Sequence, residues 1–225
     1  MERSFPQPNP SGCAAESVVN VAEWLPCTEA EGPGRRFALW VQGCPLRCPG
    51  CCNPHMLEFR PERAMAVPAL EAEVAAARDR DGIEGVTLIG GEPFAQARAL
   101  AELARRVRAA GLSVMAFSGF PYQTLASGRG EGWAALLAET DLLVAGPYVE
   151  ALHETDRRWI GSSNQEVHFL TDRYAHLRED AGGWDRGRNS VELRLVGGQV
   201  FINGFPHASI TRRLEKGRPE KDRNA

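Results

Sequence analysis

The sequence has no cysteine after position 52, which excludes a disulfide framework spread over the fold. It has no apolar run near the ~18 residues of a membrane span. Its first residues lack the apolar stretch of a signal peptide, so a cytoplasmic protein with reduced thiols is expected. No excess of positive charge is present: 26 Lys and Arg face 29 Asp and Glu, a net charge of -3. That argues against a protein that binds nucleic acid through bulk charge. No solenoid repeat is visible. What remains is an ordinary globular composition, 43% apolar and 24% charged over 225 residues, enough to bury a core without staples.

Residues 1–16, with Pro6, Pro8, Pro10 and Gly12, read as a loose arm. Residues 17–25 suggest a first strand and Glu31-Gly32-Pro33-Gly34 a turn; Arg36 to Val41 reads as a strand feeding the cysteines. A repeating unit follows. Pro68 to Arg80 has helical spacing, Val86 to Ile89 reads as a strand, Ala95 to Ala110 as a helix stopped by Gly111, and Leu112 to Phe117 as a strand. Trp133 to Glu139 is predicted helical. Asp141 to Ala145 and Glu166 to Leu170 are predicted strands.

This alternation predicts an α/β fold on a parallel sheet, with function at the C-terminal ends of the strands. The cysteine loop, Gly90-Gly91-Glu92-Pro93, Ser118-Gly119 and Gly146-Pro147 all fall at those ends. Val191 to Val196 and Gln199 to Asn203, joined by Gly197-Gly198, predict a hairpin with Glu192 and Arg194 facing outward. Residues 211–225 read as a frayed polar tail. The expected division is an arm at 1–16, a main domain at 17–190, and the hairpin with its tail at 191–225.

Four of the six cysteines fall between 44 and 52, in Gly43-Cys44-Pro45-Leu46-Arg47-Cys48-Pro49-Gly50-Cys51-Cys52. In a reduced compartment such a cluster reads as a metal site. The core spacing is C-x3-C-x2-C. Three thiolates can hold three corners of a cubane and leave one iron open, where ordinary clusters use four cysteines. A zinc knuckle using Cys44, Cys48, Cys51 or Cys52, and His55 is the competing reading. A C-x3-C-x3-C spacing would select Cys52 in place of Cys51; Pro49-Gly50 provides the tight turn that favours Cys51. In Gly90-Gly91-Glu92-Pro93 the glycines permit close backbone approach, and the carboxylate can accept from an ammonium group. Ser118 is a candidate for a ribose or carboxylate contact, or simply a hydroxyl satisfying a turn.

The cysteine spacing followed by Gly-Gly-Glu resembles the radical S-adenosylmethionine superfamily. Cys-Pro-Gly-Cys with Asn53-Pro54 is similar to its glycyl-radical-enzyme activases. So are Glu31-Gly32-Pro33-Gly34-Arg35, Ser118-Gly119-Phe120 with Tyr122, Val144 to Tyr148, and Gly161 to Gln165. The resemblance covers roughly residues 17–170. It implies a laterally open, partial parallel (β/α) barrel, with one [4Fe-4S] cluster on Cys44, Cys48 and Cys51. S-adenosylmethionine would bind at Gly90, Gly91, Glu92, Pro93 and Ser118, with Glu92 taking the methionine ammonium. Reductive cleavage would yield a 5'-deoxyadenosyl radical, used to install a glycyl radical on a partner enzyme. Direct modification of a peptide or small molecule is the alternative.

The resemblance further implies an external electron donor such as flavodoxin or ferredoxin; the charge balance and the lack of a long apolar run predict no nucleic-acid or membrane partner. Two positions depart from the pattern: Cys52 stands where an aromatic residue is usual, and Ala145 where an acid is common. Cys13 and Cys27 have no partner motif. The five histidines form no metal-spaced pair, and Arg105, Arg106 and Arg108 read as a solvated helix face.

Overall fold

A computed structural model describes residues 17–155, 157–179, 184, 189–197 and 199–205. The expected arm at 1–16, the tail at 211–225, Cys13, Asp156, Gly198 and His207 lie outside the described residues. The chain runs β1 (Val18–Thr28), β2 (Arg36–Val41), β3 (Ala64–Ala66), α1 (Val67–Asp81), β4 (Gly85–Gly90), α2 (Ala97–Ala109) and β5 (Ser113–Ser118). It continues through α3 (Tyr122–Ala126), α4 (Trp133–Ala138), β6 (Leu142–Ala145), β7 (Glu166–Phe169), α5 (Ala175–Glu179), β8 (Val191–Val196) and β9 (Gln199–Gly204).

Seven strands form one sheet in the order β3-β1-β2-β4-β5-β6-β7. The centre is parallel: β2 pairs with β4, β4 with β5, and β5 with β6. The flanks are not. β1 is antiparallel to β3, and also to β2, from which the Glu29–Arg35 turn separates it by too few residues for a crossover. β7, expected to continue the parallel series, is antiparallel to β6. Among the described residues between them there is a 3-10 turn at Glu150–Leu152 and no covering helix to carry the chain back to the other end of the sheet. The sheet is thus mixed and open, with a parallel centre.

The helices cover one face of that centre. α1 contributes Leu70, Val74 and Ala77; α2 contributes Leu100, Leu103, Ala104 and Val107. Both pack on Phe37, Leu39, Val41, Val86, Leu88, Val114, Ala116 and Leu143. Pro68 starts α1, and Gly82 ends it in the left-handed conformation with φ 61°.

Among the described residues the opposite face has no long helix packed along it. Met56 packs there on Ala38 and Trp40. Trp159, Ile160, Tyr174 and Trp184 cover Met115, Leu142 and Val144. Covering both faces explains why the central strands are continuously apolar. At the N-terminal ends of β2, β4 and β5, the fully buried Arg36 guanidinium donates to Thr87 Oγ1, Ser113 Oγ, Tyr174 OH, and the Pro33 and Val86 carbonyls at 2.6–3.1 Å.

The hairpin β8–β9 is a separate two-stranded sheet. Its orientation reverses the expectation. Glu192 accepts from the Glu29 backbone N–H at 2.7 Å, and Arg194 reaches Glu23 at 3.5 Å, so these charges face the body. Leu193, Leu195, Val200 and Ile202 face outward and are exposed. Alternation alone does not say which face is covered. Here the polar face finds hydrogen-bonding partners on the β1–β2 turn.

Candidate active site

The cysteine loop leaves the end of β2 and is tied to the end of β4. Gly91 donates its backbone N–H to the Val41 carbonyl at 2.8 Å, and Glu92 to the Gly43 carbonyl at 2.9 Å. A side chain at Gly91 is impossible: a Cβ there would stand 2.4 Å from the Gly43 oxygen. Glycine at 91 is therefore what lets the loop rest on the strand end.

The far side of the loop returns through a 3-10 turn at Pro54–Met56. Gly43 N donates to Met56 O and Cys44 N to Leu57 O, at 2.9 and 3.0 Å. The Gln42 amide donates to Glu58 O at 2.6 Å, locking the same return. Gln96 Nε2 then donates to Gln42 O at 3.1 Å and to Asn20 O at 3.2 Å, linking the loop base to β1.

Within the loop, Cys44 is buried, Cys48 and Cys51 are half-buried, and Cys52 is exposed. Cys51 N donates to Cys48 O at 3.2 Å across the Pro49-Gly50 turn. Burial pushes the Cys44 thiol up, while the Leu46 and Arg47 backbone N–H groups pull it back toward thiolate. The Cys52 thiol hydrogen-bonds to Cys51. That bond, more than any other contact, lowers Cys51 to about 6 and raises Cys52.

This donor set fits a cubane. Three soft thiol ligands sit on one loop, and backbone N–H groups favour charge on the buried sulfur. A cubane spreads its ligands over separate corners, whereas a structural zinc ion needs ligands converging on one point. Among the described residues no three His, Cys, Asp or Glu side chains converge in that way.

Glu92 follows β4 and starts the 3-10 turn Pro93–Gln96, in which Pro93 is buried. Its carboxylate is 1% exposed. Oε1 accepts from Phe94 N and from the Ser118 hydroxyl, both at 2.9 Å; Oε2 accepts from Gly119 N at 2.8 Å. Burial raises its pKa to about 7, opposed by those three donors. Among the described residues no cation pairs with it. Ser118, at the end of β5, also accepts from Phe120 N at 3.1 Å. The structure thus joins two expected site residues directly, with the Ser118 hydroxyl spent on orienting Glu92.

Further contributors at this rim come from the segments Ser118–Phe120, Val144–Tyr148 and Gly161–Gln165. Gly119 carries Leu46 of the cysteine loop so closely that a Cβ would stand 2.4 Å from Leu46 Cδ1. Gly146 N donates to Ser118 O at 3.0 Å, fastening the end of β6 to that of β5. Beyond it, Tyr148 lies near the Cys51–Cys52 pair, and its hydroxyl is raised mainly by burial. Glu150 flanks Gly50. Gln165 holds this segment through Gly146 O, Gly161 N and Ser162 N at 2.9–3.2 Å. On the β1 side, a groove of about 460 Å³ lined by Ala22, Glu23, Gln42, His55, Arg60 and Arg63 flanks the loop.

With cluster-ready thiols, a buried acceptor and glycine-borne contacts on one rim, the comparisons with known proteins fall into place. The model of the family described as 4Fe-4S single cluster domain matches residues 30–168, more than half the chain. The chain belongs to that family, of the radical S-adenosylmethionine type, and so is an enzyme using one [4Fe-4S] cluster and S-adenosylmethionine. This sets the zinc-module reading aside.

Within that class it belongs with the anaerobic ribonucleoside-triphosphate reductase-activating proteins. The one from Escherichia coli K12 is 30% identical over 161 residues, covering 68% of this chain and 99% of that protein. The one from bacteriophage T4 is 28% identical over 158 residues, covering 68% and 96%. A pyruvate formate-lyase-activating enzyme from Staphylococcus epidermidis is 36% identical over 86 residues, covering 36% and 34%. Among solved structures, QueE from Escherichia coli superposes with a TM-score of 0.37 and 21% identity, covering 45% of this chain and 52% of that one.

Proposed function

We propose that this protein installs a glycyl radical on a partner enzyme, anaerobic ribonucleoside-triphosphate reductase. Cys44, Cys48 and Cys51 hold the cluster, and Gly90, Gly91, Glu92 and Pro93 hold the methionine end of S-adenosylmethionine. A [4Fe-4S] cluster held there would supply the electron for reductive cleavage of bound S-adenosylmethionine, the source of the hydrogen-abstracting power.

The remaining work belongs to the chain. Cys44 anchors the loop from a buried position, and Cys51 supplies the more acidic thiol of the adjacent pair. Gly91 lets the Glu92 backbone lie against Gly43, so acceptor and thiols share one rim. Ser118 and Gly119 fix both carboxylate oxygens before the ligand arrives, so little ordering remains for binding. Ser118 serves the ligand through Glu92. The C-terminal strand ends, curved as a partial, laterally open (β/α) barrel, admit a loop of a large protein substrate. The external electron donor is a flavodoxin or ferredoxin, and the setting is the cytoplasm.

One observation carries this reading: a buried carboxylate held by three hydrogen-bond donors, without a cation among the described residues, directly bonded through its backbone to the base of a three-cysteine loop. Such a group is set to receive an ammonium ion. The test is anaerobic reconstitution and reduction, followed by assay of 5'-deoxyadenosine and of a glycyl radical signal by electron paramagnetic resonance on added reductase. 5'-Deoxyadenosine that tracks a small molecule or short peptide, with no radical on the reductase, would favour direct modification instead.

A further inference from the structure

The end of β9 turns into the body of the molecule. Asn203 Nδ2 donates to Thr28 Oγ1 at 2.9 Å, and Gly204 N to Glu31 Oε1 at 2.7 Å. Both acceptors are buried, and the Glu31 carbonyl accepts from Thr87 Oγ1 of β4 at 2.8 Å. Gly204 has φ 97°, and a Cβ there would stand 2.3 Å from Ser190 O, so only glycine lets the chain bend inward at this point. The next residue, Phe205, stacks on Phe117 with ring centroids 5.9 Å apart and planes at 26°. Its ring thus joins the apolar cover of Met115, Leu142 and Val144, on the sheet face opposite α1 and α2.

This position borders the candidate site on two sides. Phe117 is the last side chain of β5 on that face, and the residue after it, Ser118, carries the hydroxyl that holds Glu92. Glu31, the anchor of Gly204, lies close enough to the cysteine loop for its charge to act on Cys52. A ring that served packing alone would be enclosed; Phe205 and Phe117 are both half-buried, so part of the stack stays open. Phe205 also lies beyond residue 168, where the family match ends, so the shared domain by itself leaves Phe117 without this cover.

We infer that Phe205 is a specificity-determining residue: stacked on Phe117, its ring walls the inner side of the rim and narrows the approach from solution to the cysteine loop and Glu92. Shielding of this kind protects a reactive centre from side reactions. The reaction it suppresses is hydrogen-atom transfer from a dissolved thiol to the 5' carbon of cleaved S-adenosylmethionine. In that transfer the thiol S–H bond breaks, a C–H bond forms, and 5'-deoxyadenosine and a thiyl radical leave. The hydrogen then does not come from the protein substrate, and the turnover is lost. The inference rests on the proposed function only for the identity of that substrate.

The experiment uses full-length, cluster-loaded protein, reduced with S-adenosylmethionine in D2O, without reductase and with dithiothreitol as the probe. The exchanged S–D group of dithiothreitol marks hydrogen taken from solution. Formation of deuterated 5'-deoxyadenosine per bound iron is followed against dithiothreitol concentration. Phe205→Ala and Phe205→Leu should steepen that dependence by roughly fivefold or more, and Phe205→Tyr should restore the wild-type slope. S-Adenosylmethionine affinity should be unchanged. Without S-adenosylmethionine, iron loss from the loaded Ala and Leu variants to an added chelator should quicken likewise. If Phe205→Ala takes up no cluster, Phe205→Leu carries the test. An unchanged slope or an unchanged chelation rate overturns the inference. So does a lowered melting temperature in both variants with the slope unaltered, which would assign Phe205 to packing alone. Wild type that forms 5'-deoxyadenosine but no glycyl radical on added reductase is a separate result: it rejects the proposed partner, and the slope still decides the role of Phe205.

Discussion

The two ends of the parallel strands treat buried charge in opposite ways. At the C-terminal ends, Glu92 is a carboxyl group held by two backbone N–H groups and one hydroxyl. At the N-terminal ends, Arg36 is a cation whose donors all reach neutral acceptors. Burial pushes both toward neutrality, Glu92 up and Arg36 down. The difference lies in what remains available. Arg36 is enclosed by its partners and closes the sheet from below. Glu92 faces a loop of thiols with acceptor capacity to spare, since Oε2 has one recorded donor. A fold can thus keep charge at both ends of a sheet, satisfied for structure at one and held ready for a ligand at the other.

The largest effect expected from breaking this contrast is at the thiols. Cys44→Ser, Cys48→Ser or Cys51→Ser should abolish 5'-deoxyadenosine formation, with iron content measured after reconstitution. Next comes the opposite end. Arg36→Met would leave Thr87, Ser113 and Tyr174 without their shared donor, and should lower stability by about 1–3 kcal/mol in urea unfolding. Its folded fraction should still bind a cluster. If instead the rim chemistry fails while stability holds, the assignment of the two ends is reversed.

A third expectation concerns pH. Folding raises the Glu31 and Glu92 carboxyls from 4.5 to about 7, Glu31 chiefly through burial against a single Gly204 N–H. The native state therefore binds these protons more tightly than the unfolded chain. Their contribution is fully present below pH 4.5 and is lost as pH rises through 7, by at most about 3 kcal/mol each. The melting temperature of cluster-free protein should fall between pH 5 and pH 8, and Glu31→Gln should flatten part of that fall. A curve that climbs over this range would contradict the burial argument.

Glu92→Gln should keep the cluster and weaken S-adenosylmethionine binding by ~1.5–3 kcal/mol, roughly ten- to a hundredfold, in equilibrium titration. Unchanged affinity would reduce Glu92 to the cap of its 3-10 turn. The smallest effect is expected for Cys52→Ser. Cluster and partial activity should remain, because the variant loses the neighbouring thiol and not a corner ligand. Iron lost from Cys52→Ser but kept in Cys51→Ser would exchange their roles.

Much of this contrast was legible in the residues, because strands β2, β4, β5 and β6 carry continuous apolar runs that end in glycine, serine or cysteine. The convergence of those ends followed from parallel alternation. Strand direction at the flanks did not, since Glu166–Phe169 reads the same whether it pairs parallel or antiparallel; the connection decides it. The seat of Glu92 was hidden for a different reason. Its partners Ser118 and Gly119 lie 26 and 27 residues away, and no local pattern links them. Arg36 looked like an ordinary charge at a strand start, and nothing nearby foretold Tyr174, 138 residues on. The hairpin was misread because alternation gives two faces without saying which one meets the body.

The backbone bonds from Glu92 to Gly43 and from Gly146 to Ser118 also set an order of events in time. Each joins strand ends that are distant along the chain, so loop-closure entropy must be overcome before the rim exists. No short fragment contains both the thiols and their carboxylate neighbour in place. The cysteine loop can meet iron early in synthesis, but its geometry is defined only after β6 has docked. Variants that slow docking of β5 and β6 are therefore expected to take up less iron on reconstitution even when their cysteines are intact.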